Sequence, residues 1–123
     1  MRTAIIVFAH GSSVETANEA VRAVTRIVSA QGEFDLTDTA FLEAAKPDLP
    51  ESVARMVEAG AERVIVVPYF LTLGIHLKRD LPRIVDQLTA RYDGLTIEVT
   101  EPLDGHSALS RIVLERAQKA LAC

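Results

Sequence analysis

The sequence predicts an α/β domain: a four-stranded parallel sheet of order 2-1-3-4 with helices on both faces. Three observations carry that expectation. Short apolar runs alternate with segments whose apolar residues step by three and four, the pattern of strands alternating with amphipathic helices. Two of the runs, residues 4–9 and 64–67, are apolar throughout, as strands covered on both faces are. The other two, residues 34–41 and 95–99, alternate apolar with polar residues, as edge strands do. Consecutive βα units with right-handed crossovers then place the first and third strands in the centre, with a switch point between them.

The elements follow in order. The first strand runs from Thr3 to Ala9, and the first helix carries the stripe Val14, Ala17, Val21, Val24, Val28 up to a closing Gly32. The second strand spans residues 34–41. Asp48 is the expected N-cap of the second helix, whose inner face is Leu49, Val53, Met56 and Val57 and which ends at Gly60. After the third strand, Asp80-Leu81-Pro82 reads as a helix start, since proline suits a first turn. Leu81, Ile84, Val85, Leu88 and Tyr92 form that third helix's face, and Asp93-Gly94 turns the chain into the fourth strand. The last helix runs from Ser107 to Leu121 through Leu109, Ile112, Val113, Ala117 and Leu121.

At 123 residues the chain is expected to be a single domain, with a core of its own. An aromatic content of 5% without tryptophan makes that core aliphatic. No apolar run approaches the roughly 18 residues that span a bilayer, and residues 4–9 are too short for a signal-peptide core. The lone cysteine, Cys123, excludes an intrachain disulfide, and a cytoplasmic protein is expected. A net charge of −4 argues against nonspecific nucleic-acid binding but leaves room for a small anionic ligand.

In a parallel sheet all four βα loops share one edge, and the chemistry of this chain collects there. His10, Ser12 and Ser13 follow the first strand; Glu43 and Lys46 follow the second; Tyr69, His76, Lys78, Arg79 and Asp80 follow the third; Glu101, Asp104 and His106 follow the fourth. All three histidines of the chain lie on that edge, two of them flanking the switch point. Neutral imidazole suits both metal ligation and proton abstraction near neutral pH. Two imidazoles and a carboxylate such as Glu43 can hold a divalent metal loosely, with positions open for exchange. His106 precedes a helix and is expected only to cap or pack.

His10-Gly11-Ser12-Ser13 has the small residues of an anion-binding turn, although Ser12 or Ser13 serves equally as a helix N-cap. It lacks G-x-G-x-x-G and the phosphate-loop lysine, so nucleotide chemistry has no support. Residues 68–77 are unusual for a loop: Tyr69, Phe70, Leu71, Leu73, Ile75 and Leu77 are all apolar or aromatic. About half are expected to tuck into the core, and the rest to await a flat apolar ligand or a second subunit.

One ordered set of motifs goes further. It comprises His10-Gly11-Ser12 after a strand, Phe41-Leu42-Glu43 with Pro47, Val67-Pro68-Tyr69-Phe70-Leu71, then Gly74-Ile75-His76 and Asp80-Leu81-Pro82. This set resembles the short class II chelatases, the CbiX/SirB-type sirohydrochlorin chelatases, over nearly the whole chain. The resemblance implies a chelatase-like single lobe that inserts cobalt, nickel or iron into sirohydrochlorin, with no nucleotide hydrolysis and no cofactor beyond the metal. It also implies a homodimer around a central cleft.

It assigns His10 and His76 as the catalytic pair that delivers metal and accepts macrocycle protons, with Glu43 as a further metal contact or relay. Ser12, Tyr69, Phe70 and Leu73 become candidate substrate contacts. Lys46, Lys78 and Arg79 become candidate partners of the macrocycle's carboxylates, an assignment made on charge rather than on a family motif.

Three other readings fit parts of the pattern. Strand-His-Gly also opens histidine phosphatases, which place an arginine before the histidine where this chain has Ala9. A non-catalytic tetrapyrrole or metal carrier would keep the same pocket. A purely structural flavodoxin-like module leaves the histidine pair unexplained.

Overall fold

The computed structural model describes residues 2–122; Cys123, on which the disulfide argument turns, lies outside them. Strands β1 (Thr3–Ala9), β2 (Leu36–Phe41), β3 (Arg63–Pro68) and β4 (Thr96–Val99) form one parallel sheet of order β2-β1-β3-β4, as the hydrophobic pattern predicts. Helices α1 (Glu15–Gly32), α2 (Leu49–Glu58), α3 (Ile75–Arg91) and α4 (Ser107–Leu121) follow the strands in turn.

The two faces of the sheet are not equally dry. One face carries Ala4, Ile6, Phe8, Ala40, Val64 and Val66, sealed by Leu49, Val53 and Met56 of α2 and by Leu81 and Leu88 of α3. The other carries Ile5, Val7 and Ala9 with Thr39 and Phe41, under α1. On this second face Ile65 and Val67 of β3 are only half-buried, so β3 is not covered on both sides as its composition predicts.

Asp48 caps α2 as expected, in a reciprocal box: Glu51 N–H donates to Asp48 Oδ1 at 2.8 Å, and Asp48 N–H donates to Glu51 Oε1 at 2.9 Å. Gly60 follows with a φ of +105°, the left-handed geometry that suits a glycine past a helix end.

Four local expectations need correction. Helix α3 begins at Ile75 rather than at Asp80, with Gly74 as N-cap, so Pro82 lies inside the helix. Pro82 is exposed, on the side of the helix away from the buried Leu81 and Leu88. Strand β2 begins at Leu36: Phe34 instead folds back over Gly32, where any Cβ would meet the Phe34 ring at 2.2 Å. Gly32 is therefore the last helical residue, and Glu33, with φ 54°, takes the left-handed cap position. Finally, α1 buries Asn18 and Thr25, not its aliphatic stripe. Val14 and Ala17 are exposed, and Val21, Val24 and Val28 are half-buried.

The capping box generates a pH-dependent prediction. The Asp48 backbone N–H, then the Lys46 ammonium, hold the Glu51 carboxyl below its ordinary value. A depressed folded pKa gives stabilisation that is full above the ordinary glutamate range and lost as pH falls through the lowered value. Glu51→Gln should therefore lower the urea midpoint at neutral pH, and the gap from wild type should close in acid. A gap independent of pH would show that the carboxylate charge contributes nothing.

Candidate active site

Backbone hydrogen bonds carry the sheet past its last strand residues and pin the loops above it. Leu42 N–H donates to Ala9 O at 2.9 Å and Glu43 N–H to His10 O at 3.0 Å, so the β1 and β2 loops leave the sheet as a paired ribbon. Tyr69 N–H donates to Phe8 O at 2.7 Å, and Leu103 N–H to Phe70 O at 3.0 Å, tying in the loops after β3 and β4. Gly11 makes the ribbon possible. Its φ is +91°, and a Cβ there would sit 1.8 Å from Glu43 O.

The first loop is held from below by a residue with no functional signal in the sequence. Asn18, 2% exposed, accepts from Ser12 N–H at 2.9 Å and donates to Ser12 O at 2.8 Å. Ser12 Oγ accepts from Val14 N–H at 3.0 Å, while the N-cap position itself falls on Val14, which has no side-chain cap. Ser12 thus shapes the turn, and its backbone is fixed by Asn18.

This scaffold brings His10 and Glu43 together. His10 Nε2 lies 3.3 Å from Glu43 Oε1, with both side chains well exposed, and His10 Nδ1 lies 3.1 Å from Gly11 O. Phe70, stacked edge-on against Phe8 at 5.8 Å between ring centres, presents its ring to the imidazole at 6.4 Å. With Nδ1–H donating to the Gly11 carbonyl, Nε2 keeps a lone pair facing the carboxylate. Two donors each about 2.0–2.2 Å from one metal ion stand roughly 3 Å apart, so the pair is spaced to share an ion. The same pair can share a proton.

His76 projects from the first turn of α3, exposed, with Arg79 Nη2 at 3.4 Å from its Nδ1. Arg79 Nε donates to Asp80 Oδ1 at 3.1 Å, and the guanidinium holds the Asp80 carboxyl below the usual range. Among the described residues no three His, Cys, Asp or Glu side chains converge closely enough to hold a metal ion together. His10 and Glu43 are therefore joined, while His76 stands on a separate element.

The other candidates divide. Lys46 lies near carboxylates of its own chain, 3.3 Å from Glu51 and 3.9 Å from Asp48, and Arg79 is engaged with Asp80. Lys78 is exposed and lines a small hollow with Thr72, Leu73, Glu101 and Asp104. Of the apolar loop, Phe70, Leu73 and Leu77 are half-buried, whereas Tyr69, Leu71 and Ile75 are exposed, close to the expected division. Tyr69 and Leu71 form one wall of a groove of about 680 Å³ closed by Leu103, Leu109 and Ile112. His106 caps α4 by accepting from Ala108 N–H at 3.0 Å, as expected.

The fold and site define a class: a parallel α/β protein with an open imidazole–carboxylate pair at the carboxyl edge of its sheet. The chain belongs to the CbiX family, whose model matches residues 4–120. It is 27% identical to the sirohydrochlorin cobaltochelatase of Methanopyrus kandleri, covering 96% of each chain.

Two solved structures are also similar. A putative cobalamin biosynthesis CbiX protein from Marinobacter aquaeolei is 30% identical, with a TM-score of 0.83 and 98% of each chain covered. The sirohydrochlorin chelatase SirB of Bacillus subtilis subspecies spizizenii, in complex with cobalt, is 26% identical with a TM-score of 0.89. That match takes 97% of this chain but 51% of SirB, so the chain spans about half its length.

Gly11→Ala tests the ribbon. The strained φ and the clash with Glu43 O should cost more than about 1 kcal/mol of stability. They should also separate His10 from Glu43, read as a lost cross-peak between their side chains in NMR. A variant of wild-type stability with the pair intact would show that the close approach is not required.

Proposed function

We propose that this chain is a sirohydrochlorin chelatase: it inserts a divalent metal ion into the tetrapyrrole, with metal and macrocycle both as substrates and with neither a nucleotide nor a resident cofactor. The observation that carries the reading is the His10–Glu43 pair at the open switch-point edge of a CbiX-family chain. Support for the substrate comes from the named relatives. Support for cobalt or iron comes from SirB, solved with cobalt and with Fe³⁺.

The reaction exchanges a metal for protons. The macrocycle gives up two inner N–H protons as the ion enters, so a base must stand beside the ion. In this reading His10 Nε2 and Glu43 share the incoming ion from one side. As the ion moves to the macrocycle nitrogens the freed lone pair takes a proton, and Glu43 stabilises the imidazolium left behind. His76 serves as the second base, its ring oriented by Arg79. Tyr69, Leu71 and Ile75 supply apolar surface for the flat face of the macrocycle, and Lys78 is the cation best placed for its carboxylates.

Two copies acting together complete the proposal. The chain matches about half of SirB, and its apolar edge residues lie open, so a second copy supplies the opposite wall of a cleft. Among the described residues no helix is long and apolar enough to cross a membrane, and the single cysteine of the chain suits a reducing cytoplasm.

An anaerobic absorbance assay with sirohydrochlorin and Co²⁺, Fe²⁺ or Ni²⁺ tests the function. His10→Ala and His76→Ala should each reduce the initial rate by about 100-fold or more, the scale of a lost general base, with an unchanged circular dichroism spectrum. Glu43→Gln should slow insertion less. Wild-type rates in both histidine variants would overturn the assignment. Macrocycle bound but unmetallated by the wild-type protein would favour a carrier.

A further inference from the structure

We propose that Asn18 is a positioning residue that selects the tautomer of His10. By fixing the Gly11–Ser12 peptide it keeps the proton on His10 Nδ1 and the lone pair on Nε2, facing Glu43. The consequence for the reaction rests on the reading of His10 as metal ligand and base; the tautomer itself does not.

The Asn18 amide fits its surroundings in one orientation only. The side chain is 2% exposed, and Nδ2 stands 2.8 Å from Ser12 O and 3.2 Å from Glu15 Oε2, two acceptors. On the other side Oδ1 accepts from Ser12 N–H at 2.9 Å. Turned over, the amide would set oxygen against two oxygens and NH₂ against an N–H. Glu15 is kept an acceptor, because hydrogen bonds from Arg22 and then from Asn18 hold its carboxyl below the ordinary glutamate value. Arg22 is held in turn by Glu19 and lies over the Phe41 ring at 5.3 Å, so the amide is anchored to the end of β2.

The step to His10 runs through one peptide group. Ser12 N–H and Gly11 C=O belong to the same trans peptide, so they point in opposite directions. With the N–H bound to Asn18, the carbonyl faces the other way, where His10 Nδ1 meets it at 3.1 Å. A carbonyl only accepts, so Nδ1 carries the proton and Nε2 is left bare, 3.3 Å from Glu43 Oε1.

That outcome is contested. A free histidine side chain prefers the Nε2–H form, and the Glu43 carboxylate would accept that proton. Glu43 is 64% exposed, however, and water weakens its pull. The Gly11 carbonyl is fixed by the backbone one residue away. Its direction decides the balance, and Asn18 sets that direction. A structural role for Asn18 would require only that the two Ser12 groups be satisfied. The tautomer requires that this one peptide keep its plane, and it determines which nitrogen is offered to a metal ion.

Long-range ¹⁵N–¹H correlation spectra of histidine-labelled protein test this without metal or macrocycle, at alkaline pH where imidazole is neutral. His10 is assigned by its loss in His10→Gln. Mainly Nδ1–H is expected for the wild type, and a reversal to Nε2–H in Asn18→Ala. Co²⁺ affinity, followed by visible absorbance, should fall about 10- to 100-fold in that variant, the scale of a lost outer partner. The exchange Asn18→Asp/Glu15→Gln keeps an acceptor for Ser12 N–H and moves the amide to position 15. It should be less stable than the wild type, since Ser12 O loses its donor, yet retain Nδ1–H. An Nε2–H wild type, or an unchanged tautomer in folded Asn18→Ala, would overturn the proposal. Should Asn18→Ala not fold, the exchange variant decides: Nδ1–H supports the proposal and Nε2–H overturns it. An Nδ1–H wild type that leaves sirohydrochlorin unmetallated would sink the chelatase reading and leave the tautomer assignment standing.

Discussion

The site depends on one constraint: two loops must leave the sheet in contact. Strands β1 and β2 are paired in register up to Ala9 and Phe41, and two further backbone hydrogen bonds extend that pairing to His10 and Glu43. The contact is so close that Gly11 leaves no room for a side chain against Glu43 O. Everything chemical follows from it. The imidazole and the carboxylate face each other because their backbones are bonded, not because the side chains found each other across a flexible gap. Asn18 supplies the remaining rigidity by binding both backbone polar groups of Ser12, which leaves the buried end of the loop satisfied.

The architecture was legible because its cause is hydrophobic and periodic. Two fully apolar runs and two alternating ones predict which strands are central and which are edges, and the observed order agrees. What stayed hidden is local or reciprocal. Pro82 reads as a helix start because proline is favoured in a first turn. In fact α3 begins two turns earlier from Gly74, whose extended backbone caps without a side-chain signal. Asn18 carries no signal of its own in a helix rich in alanine and valine, and only the loop folded over it explains its burial. Glu43 is legible as a carboxylate on the shared loop edge, but its closeness to His10 is not, since that distance is set by strand register.

The stripe of α1 shows a different kind of misreading. The periodicity of Val14, Ala17, Val21, Val24 and Val28 correctly marks an apolar face, but periodicity says only that a face seeks cover, not what covers it. Within one chain α1 turns Asn18 and Thr25 to the sheet, with Thr39 Oγ1 donating to Thr25 Oγ1 at 2.7 Å, and leaves the valines at the flank. Polar residues can occupy that interface because each is satisfied there.

The openness of the imidazole–carboxylate pair bears on the chemistry proposed for it. A closed set of four protein ligands holds a metal for structure, whereas a site that keeps positions open exchanges ligands. Here the two donors are 61% and 64% exposed, and no third donor among the described residues converges with them. Such a site binds an ion weakly enough to surrender it, which a protein that passes metal to a tetrapyrrole requires and a storage protein does not. Selectivity among first-row ions then cannot come from this pair alone, because imidazole and carboxylate follow the general affinity order. In the proposed reaction that selectivity falls to the step at which the ion meets the macrocycle nitrogens.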